Sequence, residues 1–421
     1  MKERSYFSDL GNWEDLRKAE ENLLASREYA VDFQPLLGVS GGFLPLGRVI
    51  NNQQAIDELS LSRKDIQGRL TPLTADELAE MTGFTRRSWL DGIPPKSRYE
   101  SKIDYAKALL PIYVKAGQTA IDQALANAQM TSEEVDKWIV GSTAGPDGLS
   151  ETLFPGKEAF YIRAACPAGG LFLHELWRNE NKYLGKNILA VFPEIVTSGI
   201  SPDVTRAIFG DVATNFVIRN YGEHFRVLHS EVTVLPDSEK ILQIDPLYEN
   251  PPAFHPDNPE KILQVTDRGM TVFYHPWESE YGIKMDGGKL IRWVDNGVLQ
   301  TMYKFVDDYN LSHRDKQIDW VNMVVVSHQA NGKMLRNFEK RLRRMIEKDH
   351  PDLVYASDGV RIPFVNEDTG NISGSSLLVA LNRIVRDPQY VNFSDGQPKR
   401  LLVAGFGAGL VLAFSVVEFN P

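Results

Sequence analysis

Segments with a helical spacing of apolar residues alternate with short, nearly continuous apolar runs along most of the chain. The helical segments cover residues 105–127 and 290–309 and begin again near Cys166 and Asn371, and the apolar runs cover 138–143, 187–192, 320–327 and 401–406. Short apolar runs of this kind predict strands covered on both faces, since a half-solvated strand would alternate polar and apolar residues. The pattern therefore predicts an α/β chain.

The order of these elements occurs twice, which predicts two related halves. In each half a long helix leads to an apolar strand, a second helix begins, and another apolar strand follows. We assign an N-terminal half to residues 36–229 and a C-terminal half to residues 230–421. The repeat places Cys166 and Asn371 at equivalent helix starts that face each other.

Three segments differ from the repeated pattern. Residues 1–35 carry an apolar stripe among charges and predict an added helix that packs on the body or on a partner. Residues 245–261 contain five prolines and predict an irregular insertion. A helix-like run over residues 331–348 is rich in Lys and Arg, which predicts either a solvated face or a surface that docks an acidic partner.

The composition describes a globular chain with a single thiol. The 421 residues are 43% hydrophobic and 24% charged, and Cys166 is the only cysteine. An internal disulfide is excluded, and a reduced thiol fits a cytoplasmic location. The net charge of -10 disfavours nucleic-acid binding. We expect no membrane span, because the chain lacks a signal-peptide pattern and any run of ~18 apolar residues.

Cys166 lies in the run Ala164-Ala165-Cys166-Pro167-Ala168-Gly169-Gly170. Pro167 suits the first position of a helix, and the free amides of a first turn would stabilise a thiolate. The small neighbours would let a substrate approach, so the run indicates a nucleophile. A lone cysteine is more often a small core residue, so the rest of the chain must decide between the two.

Two further residues lie where an α/β fold carries chemistry. His328 follows directly on the apolar run that ends at Ser327, and strand ends are common catalytic positions, although a structural histidine would fit there too. Asn371 precedes a predicted helix and could be its N-cap. The glycine-rich run over residues 405–409 precedes a strand, so it predicts a close backbone approach to a substrate rather than a nucleotide-binding loop.

Five motifs in this order resemble the β-ketoacyl-ACP synthase III-like enzymes of the thiolase superfamily, over most of residues 36–421. They are Ala164-Ala165-Cys166, Phe209-Gly210-Asp211-Val212-Ala213-Thr214, Ser327-His328-Gln329-Ala330-Asn331, Gly370-Asn371-Ile372-Ser373 and Gly405-Phe406-Gly407-Ala408-Gly409. The resemblance implies a thiolase-like fold with two pseudo-symmetric βαβαβαββ halves in a layered α-β-α-β-α arrangement.

The resemblance also implies a decarboxylative Claisen condensation. Cys166 would take the acyl group from an acyl-CoA or acyl-ACP thioester, and the N–H groups of Cys166 and of the Gly407-Ala408 turn, with Ala408 the better match, would form the oxyanion hole. His328 and Asn371 would hold the enolate that forms when a malonyl-type or β-ketoacyl-type thioester is decarboxylated. The resemblance implies neither a metal nor a redox cofactor.

The implied partners are an acyl carrier protein, CoA thioesters and a second copy of the chain. Phe154 matches a loop position that gates the acyl pocket of a partner subunit, although an ordinary core aromatic would also fit. Lys333, Lys340 and Arg341 match positions that dock the acidic carrier protein.

The sequence also departs from this family. Glu77 and Met81 stand where the family often has a Trp and an Arg for the CoA adenine, and Pro167 replaces a Ser or Ala. The connection from Pro155 to Cys166 is short for a helix and a strand, which indicates a deletion or a missing segment. These departures, with the N-terminal extension, indicate a specialised member, for example of secondary metabolism.

Three other functions remain as alternatives. Acyl transfer to an alcohol or amine without decarboxylation would use the same Cys166 and His328, and Asn371 favours condensation over it. Chemistry like that of 3-hydroxy-3-methylglutaryl-CoA synthase needs a catalytic Glu near the nucleophile, and the sequence offers none in a matching position. A degenerate, inactive partner subunit would usually have lost the Cys or the His.

Overall fold

The structure is a computed structural model of the single chain. It describes residues 13–64, 67, 69–94, 96–143, 145–200, 202–235, 241–244, 262–274, 283–320, 322–351 and 359–421. The irregular insertion predicted over residues 245–261 lies outside the described residues.

Helices and strands alternate through both halves. The helices are α1 Trp13–Asn22, α2 Asn52–Leu59, α3 Ala75–Thr82, α4 Lys102–Ala128, α5 Leu149–Leu153, α6 Ala168–Arg178, α7 Glu180–Tyr183, α8 Gly287–Trp293, α9 Leu299–Ser312, α10 Gly332–Asp349 and α11 Ser375–Arg386. The strands of the first half are β1 Val31–Leu36, β2 Val39–Pro45, β3 Arg48–Asn51, β4 Ser62–Lys64, β5 Leu70–Pro72, β6 Arg86–Trp89, β7 Lys137–Ser142, β8 Ala159–Arg163, β9 Ile188–Glu194 and β10 Val212–Ile218. Those of the second half are β11 Phe225–Val234, β12 Leu242–Ile244, β13 Leu263–Val265, β14 Gly269–Val272, β15 Ile283–Met285, β16 Val325–Ser327, β17 Lys399–Gly407 and β18 Val411–Phe419.

The two main sheets repeat one strand order, which confirms the predicted duplication. The first sheet has the order β1-β2-β10-β9-β7-β8-β14-β13, in which β10 is antiparallel to both β2 and β9. The second has the order β11-β18-β17-β16, in which β18 is likewise antiparallel to both neighbours. A parallel bridge between Val324 and Arg361 continues the second sheet beyond β16, as β8 continues the first beyond β7. The chain passes from the first sheet to the second in the turn between β10 and β11, at residues 219–224.

Helices and sheets form five layers, as predicted. Helix α4 covers the outer face of the first sheet through buried residues such as Ile112 and Ala120. Helices α6 and α11 lie between the two sheets, where Phe172 and Leu381 are fully buried. Helices α9 and α10 cover the outer face of the second sheet. The result is the expected α-β-α-β-α arrangement, in which the two sheets enclose the helices that carry the candidate site.

The predicted N-terminal helix packs on the body of the chain. Leu16 of α1 and Leu23, which follows α1, are fully buried. They belong to the same hydrophobic cluster as the buried residues of α4. At the edge of this contact, Lys115 of α4 donates to Glu20 at 2.9 Å. No helix of the described residues is long and apolar enough to cross a membrane.

The short connection before Cys166 keeps its strand and has a reduced helix. Strand β8 lies between Pro155 and Cys166 and pairs in parallel with β7. The crossover helix between β7 and β8 is α5, which has five residues. The departure from the family pattern therefore lies in the helix, and β8 still delivers the chain to the start of α6.

Candidate active site

The Cys166 backbone lies between the end of β8 and the start of α6. The carbonyl of Pro167 accepts the first helical hydrogen bond, from Leu171 N–H at 2.9 Å, so Pro167 is the N-cap and not the predicted first helical residue. The N–H of Ala165 donates to the Tyr274 hydroxyl at 2.7 Å. These bonds hold the backbone on both sides of the thiol.

The small residues after Cys166 serve helix packing. A Cβ added to Gly169 would lie 2.8 Å from the Gly374 carbonyl oxygen, and one added to Gly170 would lie 2.8 Å from the Ala413 Cβ. Both distances are too short for a real side chain. The expectation that these residues admit a substrate is therefore wrong: they let α6 approach α11 and the second sheet.

The glycine-rich run over residues 405–409 approaches Cys166. A Cβ on Gly407 would lie 2.4 Å from the Cβ of Cys166, so the end of β17 passes directly beside this residue. Ala408 is the first residue of a short 3₁₀ turn, and its N–H consequently has no acceptor within that turn. The N–H of Cys166 makes no backbone hydrogen bond among the described residues. Neither of the two N–H groups predicted for the oxyanion hole is thus held by a backbone carbonyl among the described residues.

The Cys166 thiol is buried and protonated at neutral pH. Its Sγ lies 3.8 Å from the Ser373 hydroxyl. Burial raises the pKa of Cys166 to about 12, the Ser373 hydroxyl opposes this shift, and the charge of Glu194 adds to it. Burial therefore opposes the predicted stabilisation of a thiolate by the amides at the helix start.

A polar chain that the sequence did not reveal continues from this thiol. The Ser373 hydroxyl lies 2.6 Å from Thr143 Oγ1, and the N–H of Thr143 donates to Glu194 at 2.9 Å. Burial raises the pKa of Glu194 to about 8, against the opposing effect of its hydrogen bonds with Thr143. Ser373 belongs to the motif Gly370-Asn371-Ile372-Ser373. Thr143 follows β7 and Glu194 ends β9, so these two residues are brought together only by the fold.

His328 is held as a neutral ring with one defined tautomer. The backbone N–H of His328 donates to the Ala404 carbonyl at 2.9 Å, which fixes the His328 backbone at the end of β16 beside β17. Burial lowers the pKa of its ring to about 3, so the imidazole carries one proton. The Ser376 hydroxyl lies 2.5 Å from Nδ1 and already accepts from Gln329 N–H at 3.3 Å.

These contacts place the ring proton on the other nitrogen of His328. Among the described residues, His328 Nδ1 is the one acceptor within reach of the single hydrogen of the Ser376 hydroxyl. We infer that this hydroxyl donates to Nδ1, which assigns the ring proton to Nε2, and none of the described residues accepts that proton. The Phe406 ring packs edge-on against the imidazole at 5.6 Å between centroids, which fixes the ring plane.

Asn371 is held as a hydrogen-bond donor. It is not the N-cap of α11, which begins at Ser375, so the structural alternative for this residue does not apply. Its Oδ1 accepts the N–H of Ser373 at 2.9 Å, which directs the amide nitrogen away from this bond. No described residue bonds to Nδ2. His328 and Asn371 thus present two unengaged N–H donors near the start of α11.

Comparison with known proteins places this geometry in a known fold. No family model and no curated protein match the chain. The structure of 3-oxoacyl-[acyl-carrier-protein] synthase III from Aquifex aeolicus VF5 is 15% identical, covers 93% of this chain and 100% of its own, and superposes with a TM-score of 0.58. The corresponding synthase III from Pseudomonas aeruginosa PAO1 is 18% identical over 93% of this chain and 98% of its own, at 0.58. The chain has the synthase III fold.

A polyketide synthase shares this fold. The C-terminal type III polyketide synthase domain of Steely1 from Dictyostelium is 15% identical over 92% of this chain and 99% of its own, with a TM-score of 0.61. The likeness therefore confirms the predicted thiolase-like architecture.

The Gly210-Asp211 motif of the synthase III fold has a structural role in this chain. The Asp211 carboxylate is fully buried and accepts the N–H groups of Leu90 at 2.9 Å and Val196 at 2.7 Å. It also accepts from the N–H and hydroxyl of Thr197. This carboxylate ties the segment after β6 to the loop after β9.

Phe154 lies in the core of its own chain. It is 2% exposed and packs on Trp138 with ring centroids 5.0 Å apart. This placement differs from the one expected of a gate in a partner's pocket, because a side chain packed inside its own chain is not available to another subunit.

The predicted docking residues lie on α10, on the outer layer of the synthase III fold. Lys333 and Lys340 are exposed, and no ion pair engages either of them among the described residues. Arg341 instead pairs with Asp295 at 2.7 Å. The Arg341 charge is therefore partly neutralised by Asp295 of the same chain.

The two positions that differ from the family's adenine site have local roles. Glu77 closes a capping box with Thr74 at the start of α3 and pairs with Arg63 at 2.5 Å. Met81 is 43% exposed near the end of the same helix. Neither residue offers the Trp or Arg face that stacks on an adenine in the family.

Proposed function

We propose that the protein is a β-ketoacyl synthase that catalyses a decarboxylative Claisen condensation. The observation that carries this proposal is the pair of neutral donors, His328 Nε2–H and Asn371 Nδ2, each oriented by a hydrogen bond on its opposite side. Neutral donors stabilise an enolate oxygen without transferring a proton to it. The synthase III fold, with Cys166 beside the Gly407-Ala408 turn, supports the same conclusion.

The first step transfers an acyl group to Cys166. The sulfur of Cys166, after losing its proton, attacks the carbonyl of an acyl thioester, and the N–H groups of Cys166 and Ala408 stabilise the oxyanion. The new C–S bond forms as the old one breaks, and the carrier leaves as a thiol. Since the pKa of Cys166 is about 12, this step requires proton removal from a neutral thiol.

The second step forms the carbon–carbon bond. A malonyl-type thioester binds with its carbonyl oxygen on His328 and Asn371, and its C–C bond to the carboxylate breaks to release CO₂. The resulting enolate carbon attacks the thioester on Cys166, the C–S bond breaks, and a β-ketoacyl thioester leaves. The Cys166 sulfur then regains a proton.

The carriers and the assembly complete the proposal. The similar proteins from Aquifex aeolicus and Pseudomonas aeruginosa are 3-oxoacyl-[acyl-carrier-protein] synthases, whose name includes an acyl carrier protein. The exposed Lys333 and Lys340 support electrostatic docking of such an acidic carrier. We include a homodimer, a cytoplasmic location and a specialised role, for example in secondary metabolism, in this proposal. The substitutions at Glu77 and Met81 favour a carrier other than CoA for the first acyl group.

Intact-mass measurement of the acyl-enzyme tests this function. After incubation with acyl thioesters, the wild type gains the mass of one acyl group, and Cys166→Ala gains none. An adduct that persists in Cys166→Ala contradicts the nucleophile. Addition of a malonyl thioester to acylated wild type releases CO₂ and the β-ketoacyl product. Acylation without CO₂ or a C–C product supports transfer to an alcohol or amine instead.

A further inference from the structure

Arg87 is a buried cation next to the segment that carries Asn371. It lies on β6, is 0% exposed, and shares a strand face with Trp89, whose indole N–H donates to the Phe209 carbonyl at 3.2 Å. A Cβ built on Gly370 would lie 2.9 Å from the Arg87 Cβ, and one built on Gly210 would lie 3.5 Å from it. The side chain therefore starts in a cleft between two glycines.

None of the guanidinium nitrogens of Arg87 has a hydrogen-bond partner among the described residues. Arg386 shows that this is not a general result of burial: it donates to Asn382 twice and to the carbonyls of Gln34 and Val39, at 2.6 to 3.0 Å. Burial lowers the pKa of each arginine to about 10, and no carboxylate in the described part of the chain acts on Arg87 to oppose this shift. A buried, unpaired charge is costly, and an anionic ligand would offset that cost.

The position of Arg87 selects among possible anions. Asn371 N–H donates to the Ile208 carbonyl at 2.8 Å, and the Asn371 carbonyl accepts Gly210 N–H at 3.1 Å, so Arg87 packs against the same strip of backbone. An anion bound to Arg87 would lie beside the backbone segment that carries Asn371. In a malonyl-type thioester the carboxylate is one methylene from the reacting carbonyl, whereas the carrier phosphate is separated from it by the whole pantetheine arm.

We propose that Arg87 binds the carboxylate of the malonyl-type thioester and selects it over uncharged acyl thioesters. This inference rests on the condensation proposed above. A guanidinium and a carboxylate match in planar, bidentate geometry. The pairing is strongest before CO₂ leaves, so Arg87 contributes to binding the substrate and not to lowering the barrier of decarboxylation.

Steady-state kinetics with Arg87→Gln provide the test. The KM for malonyl-ACP rises by about tenfold or more and kcat does not fall, because the lost interaction contributes to substrate binding and gives the transition state no additional stabilisation. The rate at which butyryl-ACP acylates Cys166 stays at the wild-type value, and Arg87→Lys restores part of the KM. An unchanged KM overturns the proposal. An equal fall in the use of malonyl-ACP and butyryl-ACP also overturns it, because that result would indicate a contact with the carrier phosphate.

Unfolding of the unliganded protein gives an independent readout. Arg87→Met removes an unpaired buried charge, so its Tm rises above that of the wild type, whereas Arg386→Met removes a paired one and its Tm falls. A lower Tm for Arg87→Met would show that the guanidinium is already satisfied and would contradict the inference. A wild type that forms no β-ketoacyl product refutes the condensation itself, whereas a condensing wild type with an unchanged Arg87→Gln variant refutes only the role of Arg87.

Discussion

At the scale of single residues, burial determines the chemistry of this site more than charge does. Cys166 and His328 are both held in their neutral forms by loss of solvation, with pKa values of about 12 and about 3. A neutral His328 suits the proposed condensation, whereas a neutral Cys166 does not by itself suit the proposed acyl transfer. His328 is ready to donate at any ordinary pH, whereas Cys166 must first lose a proton.

Alkylation of Cys166 by iodoacetamide tests this contrast. Because the pKa of the thiol is raised, the thiolate fraction at neutral pH is small, and the alkylation rate increases about tenfold per pH unit from roughly pH 6 to pH 10. Intact mass against time at each pH gives the rate. A rate that levels off near neutral pH would show that the helix start does stabilise a thiolate.

Glu194→Gln is the matched variant for this measurement. The Glu194 carboxyl has a pKa of about 8 and is charged above that pH, where its charge raises the pKa of Cys166. The variant removes this charge. Its alkylation is therefore faster than that of the wild type above about pH 8 and similar to it below.

Ser376 is a positioning residue for His328. Ser376→Ala removes the hydroxyl that donates to Nδ1, so the ring loses its fixed tautomer and condensation slows by about tenfold, the value of one good hydrogen bond. Acylation of Cys166, measured by mass, changes little. Ser375→Ala is the control on the same turn, since Ser375 bonds to Thr214 and not to His328. Equal losses in both variants would indicate a general effect on α11.

At the scale of elements, the start of α6 and the end of β17 form one packed unit. The absence of a side chain at Gly407 lets the two backbones meet, and Gly405 lies in similar contact with Gly170. Such close approaches tolerate no added atom without a shift of backbone. The position of the nucleophile thus depends on a strand of the other half.

Gly407→Ala tests this dependence. The added methyl would meet the Cβ of Cys166 at 2.4 Å, so α6 must move, and we expect a loss of about 1–3 kcal/mol in the free energy of unfolding with a larger loss of acylation. Denaturant unfolding and acyl-enzyme mass give the two values. Gly287→Ala is the control, because a Cβ there meets nothing within 4 Å. Full acylation of Gly407→Ala would show that the contact does not position the thiol.

At the scale of the whole molecule, the sequence predicts the helices and strands that have a regular pattern of apolar residues. It does not predict features that arise from contacts between distant parts of the chain. The apolar strands β7, β9 and β17 and the helix α4 stand out because burial on both faces leaves a continuous signal. Strand β2 does not, because Gly41 and Gly42 stand in it instead of apolar residues, and a Cβ at either position would lie 2.5 Å from a neighbouring carbonyl oxygen. Its pairing with β10 is visible only in three dimensions.

The candidate site shows the same division. Cys166, His328 and Asn371 are candidates on their motifs alone, because each lies shortly after a strand or shortly before a helix. Glu194 reaches the thiol only through Thr143 and Ser373, from a position far along the chain. Arg87 is distinctive only because it is buried without a hydrogen-bond partner among the described residues. The sequence around it contains no pattern that would predict such burial.

The duplicated sheets give the site one more property. Cys166 belongs to the first half, and the two proposed enolate donors, His328 and Asn371, belong to the second, so the distance between them is set by how the two sheets hold α6 and α11. A small displacement of α6 relative to α11 would separate Cys166 from the two proposed donors while each half stayed folded. Substitutions of apolar residues deep in the middle layer, far from any substrate, would then abolish activity before they unfold the protein.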